Sequence, residues 1–538
     1  MKIDSVFVIG LDGATFDLLF PLINKGIMPN LKRIIEKGAW GNLISPIPPI
    51  TPASWTSFFT GVNPGKHRIF GFIKDKYIPD KRCYINSTHI KAKKIWQILT
   101  EAGLSNGIIN VPITYPPDKL NGYMISGFPT PYNPKNYTYP SNLEKEIKKI
   151  VGKYIIDVQV SSTPEKDKEV YEIIEKIYYA LSQRQKAILY LIKNYPTNFT
   201  TIVYETPDRL QHLFWKYIDE KNELYKSKKA EKYRKKILEC YEYLDKCIGD
   251  ILNNLSENST LILISDHGFG PIEKNIFMNN WLYLHGFLKI KIPIFIWQKI
   301  RRRLFKLIGK EHLKDIWKDE LYFIDWPNTL AYSGDIFEQG IFINLKGREP
   351  YGIVEPGNEY ENIRKEIKDA LQKSVDPITK EPFVDAVYFK EEVYKGKDLM
   401  DAPDLFVIMK NYAYIIVNGF NFHNFINRTF LVDNKKPSGF HRLDGIFIAY
   451  GKNIKEGQKL KTIKMEDVAP TILYLLGVPI PKNMDGKPCI QMCKENFLTS
   501  TSIHWTEDTV QTIKKEEKVY SDNEEEEIQK QLKGLGYF

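Results

Sequence analysis

Val6-Phe7-Val8-Ile9-Gly10-Leu11-Asp12-Gly13 is the stretch that decides the fold of this chain. Its apolar run ends at Asp12 after six residues, which is the length of a buried strand. The run is too short for a membrane span or for the apolar part of a signal peptide. It also lacks the alternation of apolar and polar residues that is typical of a strand with one solvent-exposed face. We therefore expect an inner strand of a sheet that is covered on both faces.

Similar apolar runs recur along the chain and alternate with longer helical patterns. Such alternation is typical of an α/β protein with a parallel sheet. We predict a mostly parallel central sheet flanked by helices on both faces, with inserted cap or lid segments. The other predicted strands are Gly107–Val111, Thr200–Glu205, Thr260–Ser265, Asp404–Met409 and Gly445–Tyr450. The predicted helices are Met28–Lys37, Ala92–Ala102, Lys166–Lys193, Ala230–Asn254 and Met465–Leu476.

Composition excludes several classes of protein. The 538 residues are 43% hydrophobic and 26% charged, which excludes a disordered, collagen-like or coiled-coil chain. The five cysteines are too few for a disulfide scaffold and favour a reducing compartment, so we expect a cytoplasmic protein without a transmembrane segment. The net charge of +10, from 76 basic and 66 acidic residues, suits anionic ligands in general and does not identify nucleic acid.

Three predicted strands are each followed closely by an aspartate. Asp12 comes directly after the first strand, Asp208 follows the run Thr200–Glu205, and Asp266 follows the run Thr260–Ser265. Ligands of open parallel sheets bind beyond the carboxyl ends of the strands. Three carboxylates that met there would repel one another unless cations offset their charge, so the pattern indicates metal ions. For one aspartate alone, capping of the following helix is the commoner explanation.

Histidines accompany the aspartates. His212 lies four residues after Asp208, so on a helix both side chains share one face and can reach one ion. His267 directly follows Asp266, and adjacent side chains diverge, which suits two ions or one ion and an outer contact. His441 lies just before the last predicted strand. Because a lone histidine is more often structural, the metal hypothesis depends on three aspartates and three histidines occurring together.

Thr51 is the candidate nucleophile, in the segment Ile47-Pro48-Pro49-Ile50-Thr51-Pro52-Ala53-Ser54-Trp55-Thr56-Ser57. The pair Thr51-Pro52 is typical of a helix start, with Thr51 as the capping residue and the proline in the first helical position. The simpler interpretation is that Thr51 only caps the helix. The same geometry would also place its hydroxyl in the positive potential of a helix N-terminus, which favours an alkoxide and the phosphate that it attacks.

Taken together, these motifs resemble the alkaline phosphatase superfamily, in the order of its type I phosphodiesterase/nucleotide pyrophosphatase branch. The resemblance spans residues 3 to about 490. Asn344–Pro350 is similar to the predicted phosphohydrolase/phosphomutase group, and Asp467–Gly477 with Asp485-Gly486 is similar to the superfamily's closing segment. The motifs that carry the resemblance are Leu11-Asp12-Gly13, the Thr51 segment with Thr60-Gly61-Val62-Asn63-Pro64-Gly65-Lys66-His67, Pro207-Asp208-Arg209-Leu210-Gln211-His212, Ser265-Asp266-His267-Gly268 and Gly439-Phe440-His441.

The resemblance implies two divalent metal ions, for which zinc is expected and manganese or iron are alternatives. It also implies a covalent mechanism, in which Thr51 attacks phosphorus and water then attacks the phosphothreonine from the opposite face. The implied ligands fall into two sets, one for each ion: Asp208, His212 and His441, and then Asp12, Asp266, His267 and Thr51.

The implied substrate is a small phosphorylated compound, either a nucleotide or a phosphodiester, and no specific binding of nucleic acid is expected. Nucleotide pyrophosphatases hold a phosphate oxygen with an asparagine past the nucleophile, but Ile69-Phe70-Gly71-Phe72-Ile73 contains none. Monoesterases often use Arg or Lys instead, and Lys66, Arg68, Arg348 and Arg442 are the candidates. A phosphodiesterase or nucleotide pyrophosphatase is the leading hypothesis. The alternatives are a monoesterase, a phosphomutase or phosphotransferase using the same site, and a non-catalytic binding protein.

The domain organisation follows from where the strand–helix alternation is interrupted. Residues 1–285 are predicted to form the first part of the catalytic core, with 115–162, rich in Pro, Tyr and Asn, as a loop or cap insertion. Residues 286–430 are predicted to supply lid or cap insertions together with pieces of the core. Residues 431–500 would complete the core, and 501–538 would form a C-terminal tail. Long insertions at strand ends commonly cover active sites.

Overall fold

The computed structural model describes residues 4–74, 83–160, 164, 166–291, 323–334, 339–397, 399–417, 419–421, 429–436, 438–507 and 518–534. Its strands are β1 Ser5–Leu11, β2 Ala39–Ile44, β3 Ile73–Lys74, β4 Cys83–Tyr84, β5 Asn106–Val111, β6 Gly122–Ser126, β7 Thr138–Tyr139, β8 Phe199–Tyr204, β9 Ser259–Ile264, β10 Gly268–Pro271, β11 Lys274–Ile276, β12 Ala331–Tyr332, β13 Gly340–Ile343, β14 Val384–Phe389, β15 Leu405–Met409, β16 Tyr414–Ile416, β17 Leu431–Asp433, β18 Gly439–Arg442, β19 Asp444–Gly451, β20 Gln458–Lys459, β21 Ile463–Lys464, β22 Ile480–Pro481 and β23 Trp505–Thr506.

The α-helices range from one turn to 28 residues, the longest being the seventh. They are α1 Phe16–Asn24, α2 Pro29–Glu36, α3 Thr51–Thr60, α4 Pro64–His67, α5 Ile95–Glu101, α6 Leu143–Val151, α7 Asp167–Asn194, α8 Thr206–Ile218, α9 Lys228–Leu252, α10 Met278–Leu284, α11 Asn358–Gln372, α12 Lys390–Val393, α13 Val468–Leu475, α14 Glu495–Ser500 and α15 Asp522–Gly534. Among the described residues, none of the helices combines the length and the apolar character needed to cross a membrane.

β1 lies inside a ten-stranded sheet, whose order is β20-β2-β19-β9-β1-β8-β5-β6-β7 with β21 beside β2. β1 pairs in parallel with β8 on one side and β9 on the other. All of β1 from Val6 to Leu11 is buried, and the helices around the sheet contribute side chains to the same apolar cluster. The predicted α/β fold with a large, helix-flanked central sheet is therefore confirmed.

Two predicted strands do not join a parallel arrangement. β19, predicted as Gly445–Tyr450, belongs to the central sheet but runs antiparallel to β9 and β2. The predicted strand Asp404–Met409 appears as β15, which lies in a separate four-stranded sheet of order β12-β13-β15-β14 and pairs antiparallel with β13 and β14. A short apolar run indicates a buried strand, but it does not indicate the direction of that strand or the strands with which it pairs.

A second apolar cluster is built on this four-stranded sheet, and its members come from Ile276 to Leu431. We call the region from Ile276 to Leu431 the smaller unit. Part of it, residues 292–322, lies outside the described residues. The smaller unit contacts the segment before α3, because the Tyr394 hydroxyl donates to the Ile47 carbonyl at 2.5 Å and its ring packs against Phe70. The arrangement of the smaller unit is thereby coupled to the position of α3.

A buried carboxylate organises the smaller unit. Asp404 is fully buried and accepts hydrogen bonds from Arg348 at 2.6 and 2.8 Å, Lys390 at 2.9 Å, the Tyr360 hydroxyl at 2.5 Å and the Ile343 amide at 2.7 Å. Burial alone would raise the pKa of Asp404, but the hydrogen bonds and charge of Arg348, with the charge of Lys390, lower it to about 2. Arg348 Nε also lies 2.7 Å from Glu349 Oε1, so Asp404 and Glu349 together offset the charges of Arg348 and Lys390.

We expect Asp404→Asn to lower the free energy of unfolding by about 3 kcal/mol, because it leaves the buried Lys390 without its carboxylate and Arg348 with Glu349 alone. Urea denaturation followed by tryptophan fluorescence measures this loss. The matched control is Lys346→Ala, which removes only the exposed pair with Glu355 and should cost less than about 1 kcal/mol. Equal losses in the two variants would contradict the assignment.

The same interaction predicts an acid dependence. An aspartate in an unfolded chain titrates near about 3.9, and the folded value for Asp404 is about 2. Because the folded pKa is depressed, the stabilisation is complete above about pH 4 and is lost as the pH falls toward 2. The difference in unfolding free energy between the unchanged protein and Asp404→Asn should therefore shrink over this range. A difference that stayed constant from pH 5 to pH 2 would show that the Asp404 carboxylate is not stabilised.

Candidate metal centre

Three aspartates meet at the carboxyl edge of the central sheet. Asp12 directly follows β1, Asp266 lies two residues after β9, and Asp208 lies in the first turn of α8, which follows β8. Because β8, β1 and β9 are parallel neighbours, their carboxyl ends lie side by side. All three side chains are buried, with at most 2% of their surface exposed. The sheet topology thus brings together groups that are more than 250 residues apart in the sequence.

One set of donors surrounds His267. Its Nε2 atom lies 3.3 Å from Asp266 Oδ2, 3.7 Å from Asp12 Oδ1 and 3.5 Å from the Thr51 hydroxyl. The ligand atoms of Asp12, Asp266 and His267 all lie within 4.8 Å of one another. This spacing is short enough for one ion to contact all of them at ordinary coordination distances.

A second set of donors surrounds Asp208. Its Oδ1 atom lies 3.2 Å from His212 Nε2 and 3.5 Å from His441 Nε2, and the two Nε2 atoms are 3.0 Å apart. Asp208 and His212 are on one face of α8, as their spacing predicts, while His441 comes from β18. The His441 ring stacks on His267 with centroids 3.5 Å apart, so the two sets are in direct contact.

The chemistry of these donors fits divalent cations. Within the described part of the chain, Asp12 Oδ1, Asp208 Oδ1 and Asp266 Oδ2 are buried oxygens without a hydrogen-bond partner. Burial and the neighbouring carboxylates raise the pKa of Asp12 well above its usual value, and burial raises that of Asp266 to about 8. Burying such oxygens costs free energy unless a cation is coordinated by them. The site therefore lacks the positive charge that these oxygens require, and divalent ions would supply it.

The histidine rings are oriented as metal-binding imidazoles usually are. His441 Nδ1 lies 2.7 Å from the Pro49 carbonyl oxygen and His267 Nδ1 lies 3.0 Å from the Gly268 carbonyl oxygen. A carbonyl can only accept, so Nδ1 carries the proton in both rings and Nε2 presents a lone pair to the carboxylates. Burial lowers the pKa of His441 to about 4 and that of His267 well below its usual value. Both rings are therefore neutral, as ligands must be.

Thr51 lies at the start of α3, one residue from its expected place. Ile50 is the N-cap and Thr51 is the first helical residue, so its side chain is not used as the cap. Two other side chains of α3 hold the helix against the aspartates: Trp55 Nε1 donates to Asp12 Oδ2 at 3.2 Å, and the Ser54 hydroxyl donates to the Asp266 carbonyl at 2.5 Å. The Thr51 hydroxyl is thereby left beside His267.

Arg209 is a residue of the site that sequence reasoning missed. It donates to Asp208 and forms two bonds to Asp157, with Nε at 3.0 Å and Nη2 at 2.8 Å. Burial would raise the pKa of Asp208, but the charges of His212 and Arg209 hold it well below its usual value. The only signal in the sequence was the position of Arg209 directly after Asp208, which does not distinguish a buried guanidinium from an exposed one.

The basic residues considered for holding phosphate are engaged within the protein. Lys66, Arg68 and Arg348 each lie beside an aspartate, at 2.6, 3.6 and 2.6 Å. Arg442 donates to the backbone carbonyls of Tyr412 at 2.7 Å and Pro271 at 2.5 Å, and burial lowers its pKa to about 9. Three of the four side chains are therefore paired with a carboxylate and the fourth is bonded to backbone carbonyls.

This chain is similar to several solved structures. Alkaline phosphatase PafA is 15% identical, with a TM-score of 0.56 over 92% of this chain and 99% of that one. Phosphonoacetate hydrolase from Sinorhizobium meliloti 1021, in complex with phosphonoformate, is 15% identical, with a TM-score of 0.51 over 88% and 95%. Murine ectonucleotide pyrophosphatase/phosphodiesterase 5, inactive and in complex with AMP, is 14% identical, with a TM-score of 0.48 over 88% and 95%. No curated protein matches this sequence.

The family is shown by the sequence itself. The profile of the family described as type I phosphodiesterase / nucleotide pyrophosphatase matches residues 6–421, which is most of the chain. The matched range includes Asp12 and His267 and ends before His441. The chain therefore belongs to the type I phosphodiesterase/nucleotide pyrophosphatase family of phosphoric ester hydrolases.

Proposed function

We propose that the chain is a phosphodiesterase or nucleotide pyrophosphatase that uses two divalent metal ions and a covalent phosphothreonine at Thr51. The observation that carries this proposal is the convergence of a threonine hydroxyl, three carboxylates and three imidazoles at one edge of the sheet. The hydroxyl lies 3.5 Å from His267 Nε2, although the two residues are 216 positions apart in the sequence.

Two sets of side chains would hold the ions, and zinc is the ion that the mixed nitrogen and oxygen donors suit best. When bound, the ions would offset the charge of the carboxylates and of the phosphate and would lower the pKa of a coordinated hydroxyl. The first set is Asp12, Asp266, His267 and the Thr51 oxygen, and the second is Asp208, His212 and His441.

The residues of α3 would position and attack the phosphorus. First-turn N–H groups of a helix have no partner within the helix, so those of Thr51 and Ala53 would stabilise negative charge on a bound phosphate. The Thr51 hydroxyl gives its proton to solvent, its oxygen forms a bond to phosphorus, and the bond from phosphorus to the leaving oxygen breaks. The leaving group takes a proton from solvent.

Water completes the reaction in a second displacement. Its oxygen attacks the phosphothreonine from the opposite face, the bond between Thr51 and phosphorus breaks, and Thr51 recovers its proton. The product is a phosphate monoester when the substrate is a diester. Replacement of the water by an alcohol would give a phosphotransferase instead, so the acceptor decides between the two reactions.

The state of the cysteines is relevant to the cellular compartment of the protein. All five are free thiols in the structure, and burial raises the pKa of Cys240 and Cys489 to about 12 and about 11. Free, protonated thiols are what a reducing compartment maintains. A cytoplasmic location therefore stays our prediction.

We expect Thr51→Ala to lower hydrolysis of bis-p-nitrophenyl phosphate at least about a thousandfold, since the nucleophile is removed. Thr51→Ser, which keeps a hydroxyl, is the matched control and should retain measurable turnover with a trappable phosphoserine. Turnover by Thr51→Ala at the unchanged rate would exclude the covalent mechanism. Product analysis with added alcohol distinguishes hydrolysis from phosphotransfer.

Metal removal gives a second prediction. Chelation should abolish hydrolysis, because the ions would lower the pKa of the Thr51 hydroxyl and offset the charge of the carboxylates and the phosphate. Added Zn²⁺, Mn²⁺ or Fe²⁺ should restore it. His441→Ala and Asp12→Asn should each lower the metal content measured by mass spectrometry. The matched control is His504→Ala, which changes an exposed histidine outside the site and should leave the metal content unchanged. Full metal content in both site variants would contradict the assigned ligands.

A further inference from the structure

A pocket of about 670 Å³ lies away from the donors of the metal centre. It is formed by the segment 130–159, which includes α6, together with Lys176 and Tyr179 of α7 and Gln531 of α15. None of the seven proposed metal ligands lines it. Its volume falls in the range of about 300–1,000 Å³ that is usual for small-molecule sites. The pocket is therefore large enough to be a binding site in its own right.

The inner wall of the pocket is aromatic and apolar. Tyr137, Tyr154, Ile156 and Val158 line it and are each at least nine-tenths buried. The rings of Tyr137 and Tyr154 stack at 6.4 Å with an angle of 14° between their planes. Aromatic walls bind flat, apolar rings by offset or edge contacts and by excluding water. The inner part of the pocket thus favours a ring system.

The outer rim of the pocket is basic. Lys148, Lys153 and Lys176 line it and are exposed, and within the described residues none of them pairs with a carboxylate. Lys153 Nζ instead lies 3.9 Å from the centre of the Tyr132 ring and 3.4 Å from Asn133 Oδ1. Three uncompensated ammonium groups make the rim attractive to an anion.

The two carboxylates that line the pocket do not cancel this charge. Asp157 is already held by Arg209 and by Gln531, whose Nε2 atom donates at 3.0 Å. Glu144 is then the remaining acidic residue of the lining. Glu527 of α15 also lies at the edge of the pocket, where it accepts from the Tyr132 amide at 3.3 Å, so the rim carries three lysines against two carboxylates and keeps a net positive charge.

We propose that this pocket binds a small organic anion that carries a flat aromatic ring, with the ring on the tyrosine wall and the acidic group at the lysine rim. The site is distinct from the metal centre, so this inference does not depend on the proposed function. The pocket touches the centre indirectly, because Arg209 links Asp157 of its wall to Asp208.

The experiment uses anilinonaphthalenesulfonate, a fluorescent aromatic sulfonate that the phosphoesterase reaction cannot consume. We expect one molecule to bind per full-length chain, with equal affinity in metal-loaded and chelated protein. Phenylnaphthylamine has the same rings without the sulfonate and should bind at least about tenfold more weakly. Equal affinity for the two probes, or loss of sulfonate binding on chelation, would overturn the proposal.

Variants locate the binding. Ile155→Trp fills the pocket from its wall and should abolish binding, whereas Ile150→Trp, at an exposed position of α6 that does not line the pocket, should leave binding unchanged. The surface variant Lys148→Ala/Lys153→Ala should weaken binding of the sulfonate at least about tenfold without affecting phenylnaphthylamine. Unchanged sulfonate binding in Ile155→Trp or in the lysine variant would overturn the proposal.

Discussion

Repulsion among the carboxylates of Asp12, Asp208 and Asp266 is the constraint on which the rest of the site depends. The three groups are buried side by side because the strands that precede them are parallel neighbours. Arg209 offsets the charge of Asp208, but Asp12 and Asp266 keep raised pKa values. Keeping such groups together without cations would destabilise the fold. Cation binding would relieve the repulsion and stabilise the arrangement.

The surroundings of the carboxylates restrict their geometry. Trp55 binds α3 to the Asp12 carboxylate and Ser54 binds it to the Asp266 carbonyl, so the helix that carries Thr51 cannot shift without breaking those bonds. Backbone carbonyls orient His267 and His441 so that Nε2 faces the carboxylates. A site whose ligands are oriented before an ion arrives loses less conformational entropy on binding, and such preorganisation is what catalysis by electrostatic stabilisation needs.

Two further parts of the molecule contact residues that surround this site. Tyr394 of the smaller unit holds the carbonyl of Ile47, four residues before Thr51. Arg209 joins Asp208 to Asp157, which forms part of the aromatic pocket and is also held by Gln531 of α15. The smaller unit and the pocket therefore border the residues that surround α3 and Asp208, although neither supplies a proposed metal ligand.

The sequence by itself determined the strands around the site, the family and the candidate donors. Short apolar runs followed by Asp12 and Asp266 predicted the carboxyl edge of a parallel sheet, and the interval between Asp208 and His212 predicted one face of a helix. These inferences succeed because burial and helical periodicity are local properties that the chain carries at fixed spacing. The start of α3 was misplaced by one residue, since Thr51 and its neighbours offer two equally simple helix starts.

Only the tertiary structure decided which distant groups meet. The direction of β19, the separate sheet that contains β15 and the pairing of Arg348 with Asp404 all depend on partners far away in the sequence. The same is true of Arg209, whose role depends on Asp157. Hydrophobicity records that a residue is buried, whereas its partner is chosen by packing and by the requirement that each buried charge be offset, and neither is encoded at any single position.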